Sequence, residues 1–525
     1  MKKWKKMMSV GLFIIAVLSG CTSQPNQGAI GTADNTVPKK GGILKIAISS
    51  EPPTLDVQMT TSFASQEIGY HIYEGLFTPD ANYNPQPMLA KDYTYDDNSK
   101  SYTINLRQGI KFHDGKDFNA DDVIASLNRW MKLNQYGKLL ASNLKELKKN
   151  GDYQIILALK ESSPAVPSLL SFPNQGAAIY PKEVVDAAGD GEIKTFIGTG
   201  PYKFQEHKPD QYIKMVRYEQ YMPREETANG MTGKRTAYMD ELDFIPTPEI
   251  SVRLDGLETG QFDVAEEIST DMYTRVKASS NVDPVIVKPY WWPMAVFNNK
   301  QGIFTNQKMR QAFNAALDKE PIMKAAFSDP QFYRLDPSLL QKEVQQWYSD
   351  AGKELYNQGN IEKSKQLLQE AGYKGEKIRW LTTKDYDYLY KIALVATEQL
   401  KKAGFNIDLQ VVDWATLVSQ RSKPDQYELY STSSTFSSDP AGAGYTSANA
   451  AGWWESSPKE ELLKKVSTEM DPVKRKEAWV GIQKLFYEEV PIVKFGDFFL
   501  LKAKSKKVQD LVATPYPYYW NVWKK

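Results

Sequence analysis

The fold is decided by residues 101–129, SYTINLRQGIKFHDGKDFNADDVIASLNR. The first six residues alternate between apolar and polar side chains, and this period of two predicts a β-strand. The His-Asp-Gly triplet at 113–115 supplies turn residues. Asn119 is a favourable N-cap, and Asp121 and Asp122 place negative charge in the first turn of a helix. The stretch therefore predicts a strand, a tight loop and a capped helix in succession.

Length and composition describe a soluble globular chain of several domains. The chain has 525 residues, which is too long for one hydrophobic core and predicts two or three domains. Charged residues make up 25% and hydrophobic residues 41%, both ordinary fractions. The net charge is +1, and the chain from Cys21 onward carries 61 basic and 64 acidic side chains. Without a concentrated basic face, nucleic acid is not an expected partner.

Aromatic residues are abundant, with 12 Trp, 30 Tyr and 21 Phe. Large cores would account for them. A cleft lined with rings would account for them as well, because Tyr and Trp give broad contact area at a low cost in conformational entropy. Both interpretations stay open from the sequence.

The N-terminus has the pattern of a lipoprotein signal. Four lysines among the first six residues precede an apolar run at 7–18, which is too short for a comfortable transmembrane helix. The following Leu-Ser-Gly-Cys, residues 18–21, resembles the bacterial lipobox, in which the cysteine is lipidated and the chain is cut before it. We expect a signal peptide at 1–20, a lipid attachment at Cys21 and a flexible tether at 21–40. An ordinary signal peptide followed by a free cysteine is the alternative.

The wording of residues 101–129 closely resembles the signature of the family 5 extracellular solute-binding proteins, which include oligopeptide, dipeptide, nickel and glutathione receptors of ABC importers. Other phrases resemble the same family: SEPPTLD at 50–56, YEGLF at 73–77, GTGPYKF at 198–204, LDGLETGQFDV at 254–264 and KMRQAFNAALDKEPI at 308–322. The glycine-rich phrase at 198–204 is followed by a strand pattern, whereas a phosphate loop requires a helix there. We therefore interpret it as a crossover between domains.

The resemblance implies an α/β fold, the type II periplasmic-binding-protein-like architecture, with two α/β lobes joined by a hinge and an extra inserted domain. Repeated helix-then-strand patterns in the second half of the chain independently favour an α/β lobe. By analogy the parts are lobe I (residues 41–68, 195–292 and 497–525), the extra domain II (69–194) and lobe III (293–496).

Two local patterns give further expectations. Gly75 follows an apolar stretch and predicts the end of a helix. Residues 161–173 contain three prolines and predict a loop. His113, in the signature loop, is expected to form hydrogen bonds within that turn.

Catalysis, metals and cofactors are not expected. The chain has three histidines and one cysteine, too few and too scattered for a transition-metal cage. A Ser-His-Asp site would need one of those histidines, and no G-x-S-x-G elbow is present. The sequence therefore predicts a binding protein rather than an enzyme.

The resemblance implies that the loop at 430–445, YSTSSTFSSDPAGAGY, lines the ligand cleft. Its hydroxyl and amide groups suit recognition of a peptide main chain. Each tryptophan could equally pack in a core, and Arg421 could be a surface residue. The predicted ligand-binding residues are Glu51, Trp291, Trp292, Trp414, Arg421, Phe436, Ser437, Ser438, Asp439, Tyr445, Trp453 and Trp454.

One departure from the family is expected to affect the ligand. In dipeptide receptors of the family, an Asp three residues before the Asp-Pro pair of this loop holds the α-ammonium of the ligand. The Asp-Pro pair here is Asp439-Pro440, and the residue three before it is Phe436. We therefore expect either a ligand whose amine lies elsewhere, near Glu51 or Asp439, or a ligand without a free amine.

The expected function is that of a substrate-binding lipoprotein of an ABC importer, which captures peptides and delivers them to a permease. The expected partners are a peptide or other small solute, the permease and ATPase subunits, and the outer face of the cell membrane through the lipid anchor. We expect a monomer. The alternatives are a sugar, an opine or a chelated metal as ligand, a peptide-sensing surface lipoprotein without transport, and a secreted hydrolase.

Overall fold

The computed structural model describes residues 37–174 and 176–525. The predicted signal peptide, the predicted lipid attachment at Cys21 and most of the predicted tether lie outside the described residues. Within the described residues, no helix combines the length and the apolar character needed to cross a membrane.

Strands and helices alternate along the described chain. The strands are β1 (Ile43–Ile48), β2 (Phe77–Pro79), β3 (Pro85–Pro87), β4 (Ala90–Asp96), β5 (Ser101–Leu106), β6 (Leu144–Lys149), β7 (Gln154–Leu159), β8 (Tyr202–Lys208), β9 (Tyr212–Arg217), β10 (Glu241–Pro246), β11 (Val264–Ile268), β12 (Val282–Phe297), β13 (Tyr333–Arg334), β14 (Ile378–Thr382), β15 (Ile407–Val411), β16 (Leu429–Ser434), β17 (Ile492–Lys494), β18 (Asp497–Ser505), β19 (Val508–Gln509) and β20 (Trp523–Lys524). The α-helices are α1 (Phe63–Ile72), α2 (Ala120–Leu133), α3 (Gln135–Asn143), α4 (Val166–Ser171), α5 (Lys182–Ala188), α6 (Ile250–Thr259), α7 (Tyr273–Ala278), α8 (Gln307–Ala316), α9 (Lys319–Phe327), α10 (Lys353–Tyr356), α11 (Ile361–Ala371), α12 (Asp387–Ala403), α13 (Trp414–Gln420), α14 (Ser457–Thr468) and α15 (Pro472–Glu489). Short 3-10 turns lie at Thr270–Met272, Ile303–Thr305, Pro330–Phe332, Pro440–Gly442 and Gly444–Thr446.

The signature stretch folds as its sequence predicts, into β5, a loop and α2. The Asn119 side chain accepts a hydrogen bond from the Asp121 N–H (2.8 Å), and the Asp122 carboxylate accepts one from the Asn119 N–H (2.9 Å). This capping box satisfies backbone donors that a helix leaves unpaired at its start. The strand buries alternate side chains, as the period of two requires.

The largest sheet mixes parallel and antiparallel strands in the order β15-β14-β16-β12-β18-β11-β1-β10-β9-β8, with β13 beside β18 and β17 beside β12. A separate antiparallel sheet has the order β4-β5-β7-β6, and β2 pairs with β3 in a hairpin. With helices packed on these sheets, the chain has the α/β fold of type II periplasmic binding proteins.

Strand β12 connects the two ends of the largest sheet. Its first part pairs with β18 as far as Trp291, which lies opposite Phe498. Its second part begins with Trp292, which lies opposite Ser434 of β16, and it also pairs with β17. The change of partner therefore falls between two adjacent tryptophans.

A buried ion pair joins the end of the signature stretch to the segment after β1. Arg129 donates to both carboxylate oxygens of Asp56, at 2.5 and 3.1 Å, and to the Gln58 side chain at 3.0 Å. Asp56 also accepts hydrogen bonds from the Tyr180 hydroxyl and the Ile193 N–H. A buried charge pair is tolerated when its remaining lone pairs are satisfied in this way.

His113 bonds across the fold rather than within its own turn. Its Nε2 donates to the Gly200 carbonyl (2.9 Å), and its Nδ1 accepts the Gly198 N–H (3.3 Å). The expectation of turn hydrogen bonds is therefore wrong. Glycine is required at 198 and 200. A Cβ at 198 would collide with the Ile72 carbonyl, and a Cβ at 200 would collide with the His71 carbonyl.

Two other local predictions are also wrong. Helix α1 ends at Ile72, where Tyr73 is an extended C-cap, so Gly75 does not end it. Residues 161–173 contain helix α4, and Pro167 lies in its first turn, where a missing N–H donor carries no cost.

The buried state of His113 predicts a pH dependence of stability. Burial is the main cause that lowers the pKa of the imidazole to about 4, compared with about 6.5 in an unfolded chain. The folded state keeps the ring neutral while the unfolded state binds a proton, so stability is lost as the pH falls from about 6.5 to about 4.

A glutamine at position 113 offers one donor and one acceptor, as the neutral imidazole of His113 does for Gly200 and Gly198, but it does not titrate. Between pH 7 and pH 5 this histidine should cost wild type about 2 kcal/mol of unfolding free energy, and His113→Gln should not show that loss. Urea unfolding at both pH values measures the difference. The same pH dependence in both proteins would contradict this assignment.

Candidate functional site

The loop after β16 brings three distant parts of the chain together. The Phe436 ring lies 4.6 Å from the ring of Tyr83, between β2 and β3, and 5.8 Å from that of Tyr516, near the C-terminus. All three side chains are buried. Phe436 therefore packs against aromatic rings from two distant parts of the chain.

Asp439, in the same loop, holds its charge inside the fold. The Arg475 guanidinium donates to both carboxylate oxygens, at 2.8 and 3.0 Å, and the Ser168 hydroxyl of α4 donates at 3.2 Å. The Ala441 N–H donates to the same group. Asp439 is 1% exposed, so its charge is paired with Arg475 and is not free to bind a solute cation.

A narrow cavity lies at the fork where β16 separates from β12. The Tyr445 ring meets the edge of Trp292 at 5.1 Å, and its hydroxyl donates to the Leu339 carbonyl at 3.2 Å. The cavity volume is about 10 Å³, which leaves room for one water at most. Its lining residues are Trp292, Leu339, Leu340, Gln341, Ser434, Thr435, Phe436, Ser437 and Tyr445.

The loop beside this cavity contains hydroxyl groups and unpaired amides. The Ser437 hydroxyl donates to the Asp439 carbonyl at 2.8 Å, and the neighbouring Ser438 is buried. The backbone N–H groups of Phe436 and Ser437 donate no hydrogen bond to any residue that the structure describes. The fork therefore combines aromatic walls with backbone donors.

The opposite side of β12 carries a wall of aromatic rings that begins at Trp291. Trp291 stacks on Tyr290, with centroids 4.9 Å apart and planes at 3°, and it meets Phe498 edge to face. Ring contacts continue from Phe498 to Tyr388 at 4.8 Å. They then pass through Tyr386 to Trp414, whose ring lies 5.0 Å from that of Tyr386. Trp291 and Trp414 thus belong to one wall, separate from the cavity that Trp292 lines.

Acidic groups lie near Tyr290, which stacks on Trp291, and one of them affects the pKa of its hydroxyl. Burial, followed by the charge of Glu267, raises the pKa of the Tyr290 hydroxyl well above its usual value. Glu266 is paired with Lys502, and the Glu67 carboxyl, buried beside it, has a pKa raised chiefly by burial.

Three predicted residues lie away from the fork cavity. The guanidinium of Arg421 lies 5.9 Å from the Trp414 ring. Trp453 lies beneath the Lys300 ammonium, at 5.5 Å. Trp454 is buried, and its Nε1–H donates to Glu489 at 2.6 Å, which gives it a structural contact.

Glu51 is paired with His207, through a contact between one carboxylate oxygen and the imidazole Nε2. Its other oxygen is buried and accepts no hydrogen bond from the described residues. Within the same residues, no group of three or more His, Cys, Asp or Glu side chains is arranged to hold a metal ion.

A second cavity, of about 60 Å³, lies between α1 and the segment after α4. Its one buried acid, Glu74, accepts hydrogen bonds from Thr199, Tyr221 and Arg235. Phe172 also lines it and lies 3.5 Å from the position of a Cβ at Gly442, so this cavity borders the loop after β16.

Three residues near the loop at 430–445 were not predicted from the sequence: Tyr83 and Tyr516, whose rings contact Phe436, and Gln341, which lines the fork cavity. Tyr83 lies in a short hairpin, Tyr516 near the C-terminus, and Gln341 in a segment without regular structure. The sequence gives no local signal that joins them, because three residues so far apart in the chain meet through the tertiary fold alone.

The chain is similar to known proteins over most of its length. Residues 84–456 match the model of the bacterial extracellular solute-binding proteins, family 5. The chain is 30% identical over 494 residues to the probable peptide ABC transporter periplasmic-binding protein y4tO of Sinorhizobium fredii, a match that covers 89% of this chain and 91% of that protein.

Solved structures show the same fold. The oligopeptide-binding protein AppA of Bacillus subtilis, in complex with a nonapeptide, matches with a TM-score of 0.73 at 23% identity, covering 93% of this chain and all of that one. DppA of Helicobacter pylori, in complex with the peptide STSA, matches with a TM-score of 0.76 at 20% identity, covering 93% of this chain and 98% of that one.

The pairing of Asp439 with Arg475 predicts the effect of removing its charge. Asp439→Asn should lower the unfolding free energy by about 3–5 kcal/mol, because it leaves a buried guanidinium without its counter-charge. Chemical denaturation measures this loss, and Asp425→Asn, on the exposed surface of the same region, is the matched control. Unchanged stability together with lost ligand binding would mean that Asp439 serves the ligand instead.

Proposed function

Because this chain belongs to the bacterial extracellular solute-binding proteins of family 5, we propose that it captures peptides for an ABC importer. The family consists of binding proteins rather than enzymes. Beyond membership of this family, we propose that the ligand is a peptide and that the bound peptide is delivered to a membrane permease and its ATPase. Peptide ABC transport is the printed description of the relative y4tO, which supports the choice of ligand.

The observation that carries the proposal is the fork between β12 and β16. Its walls are aromatic, and the backbone N–H groups of Phe436 and Ser437 have no partner among the described residues. An extended peptide can pair through its main chain with unpaired backbone groups beyond the end of a strand. Of the predicted ligand-binding residues, Trp292, Phe436, Ser437 and Tyr445 line the cavity here, and we propose that they contact the peptide.

The proposed binding site lies between lobes. We propose that lobe I comprises residues 41–68, 195–292 and 497–525, domain II residues 69–194 and lobe III residues 293–496. The contacts of Phe436 with Tyr83 and Tyr516 would then join all three parts around the ligand. Strand β12, which changes partners between Trp291 and Trp292, would be one of the hinge strands.

The charges around the loop bear on which peptides fit. Phe436 carries no charge, Asp439 is paired with Arg475, and one oxygen of Glu51 is paired with His207. An ammonium buried beside Phe436 would lack a counter-charge, which costs several kcal/mol. We therefore propose that the ligand places its amine away from Phe436, as a longer or N-blocked peptide can.

A non-peptide polar solute is the second candidate. The hydroxyl groups of Ser434 and Ser437 at the fork suit a sugar or an opine as well as a peptide main chain. A peptide-sensing role without transport would use the same site. Calorimetry with peptides of increasing length distinguishes a peptide ligand from a polar solute.

Localisation follows from the proposed anchor. We propose that the mature chain begins at lipidated Cys21 and is held on the outer face of the cell membrane, where it acts as a monomer. Two acyl chains suffice for stable anchoring.

Calorimetry with alanine peptides of two to six residues, each with a free or an acetylated amine, tests the ligand. We expect tetra- to hexapeptides to bind at least tenfold more tightly than the free dipeptide, and acetylation to improve dipeptide binding, because the region around Phe436 offers no counter-charge. In a Phe436→Asp variant, the free dipeptide should bind more tightly than the acetylated dipeptide. Phe436→Leu is the uncharged control.

Two results would count against this account of the ligand. Tightest binding by the free dipeptide, with strong loss on acetylation, would show that a carboxylate holds the amine. Binding of a simple sugar in the absence of any peptide binding would favour the second candidate.

Cys21→Ala tests the anchor. The variant should accumulate uncleaved or be released from cells, because the proposed attachment of the mature chain to the membrane depends on this thiol. Immunoblots of washed membranes and medium measure the distribution, with Thr22→Ala as the control. A correctly cleaved Cys21→Ala protein that remains in the washed membranes would contradict lipidation.

A further inference from the structure

Gln341 has a buried side-chain amide whose oxygen accepts no hydrogen bond from the described residues. The side chain is 2% exposed and lines the cavity at the β12–β16 fork. Its Nε2 donates a long hydrogen bond of 3.4 Å to the Trp291 carbonyl. Its Oε1 accepts no hydrogen bond from any residue that the structure describes. Buried acceptors without a partner are rare in folded proteins, so this one requires an explanation.

The geometry fixes which end of the amide is unpaired. The opposite orientation would place Oε1 against the Trp291 carbonyl, so that two acceptors would face each other without a proton between them. The adjacent backbone is also held firmly, because the Leu339 N–H donates to Gln483 (3.1 Å) and the Leu339 carbonyl accepts from the Tyr445 hydroxyl (3.2 Å). The unpaired oxygen is thus a fixed acceptor and does not result from a loose loop.

Donors without partners belong to two other residues that line the same cavity. They are the backbone N–H groups of Phe436 and Ser437, for which the described residues supply no acceptor. An unpaired acceptor and unpaired backbone donors in the lining of one cavity are groups that an extended peptide main chain can complement, because it alternates N–H and C=O groups.

We propose that the Gln341 Oε1 accepts a hydrogen bond from a backbone N–H of the peptide ligand. The inference rests on the proposed peptide-binding function and adds a residue that reads the main chain. With a volume of about 10 Å³, the cavity has no room for a peptide, so its walls must separate to admit one. Gln341 then selects ligands that carry an amide N–H at one fixed position, whatever their side chains.

Ester substitution in the ligand tests this bond directly. Calorimetry compares pentaalanine with its four analogues in which a single amide N–H is replaced by an ester oxygen. In wild type, one ester position should lose at least tenfold in affinity beyond the others, because the buried acceptor then faces an oxygen. In Gln341→Leu, the same ester should bind within twofold of the all-amide peptide. Gln345→Leu, an exposed glutamine of the same segment, should behave as wild type.

Stability without ligand gives a second readout. Gln341→Leu removes an unpaired buried acceptor together with one long hydrogen bond to the Trp291 carbonyl, so the melting temperature of the ligand-free variant should stay close to that of wild type. A fall of several degrees would show that the side chain serves the fold and would overturn the proposal. An equal ester penalty in wild type and Gln341→Leu would overturn it as well. If pentaalanine does not bind folded wild type at all, the peptide function itself fails, and the role of Gln341 fails with it.

Discussion

The arrangement of this molecule depends on the pairing of one long strand, β12. Its first part is bonded to β18 and its second part to β16 and β17, so a single run of backbone joins the two ends of the largest sheet. The change of partner falls between Trp291 and Trp292, and their side chains have different ring contacts. Trp291 belongs to the wall of rings that reaches Trp414, and Trp292 lines the cavity at the fork. The candidate site thus lies where the strand changes partners.

Charge is arranged to leave that site neutral. The loop at 430–445 contains one acid, Asp439, whose carboxylate is satisfied by Arg475, Ser168 and the Ala441 N–H. The pair links the loop to α15 and α4, so it fixes the position of Phe436 while contributing no free charge. Affinity for a peptide would then come from main-chain hydrogen bonds and aromatic contact area, which tolerate variation in side-chain sequence.

Local structure was predictable from the sequence where a local cause determines it. Strand β5 and the Asn119 cap of helix α2 follow from periodicity and capping residues alone. Helix α4 was not predicted because a proline in a first turn looks the same in sequence as a proline in a loop. The bonds from His113 to Gly198 and Gly200, and the enclosure of Phe436 by Tyr83 and Tyr516, join residues far apart in the chain, and no pattern in the sequence encodes them. The family resemblance supplied the loop at 430–445, whereas the pairing of its one acid and the unpaired amide of Gln341 became visible only in three dimensions.

Capture of peptides is the proposed role of this family 5 solute-binding protein. Native mass spectrometry of protein purified from its own cells, without unfolding or dialysis against denaturant, tests it most directly. We expect a population heavier than the apoprotein by the masses of peptides of about four residues or more, which collisional activation releases as a heterogeneous set with a shared amide backbone. A single bound sugar or opine mass in place of peptides would contradict it.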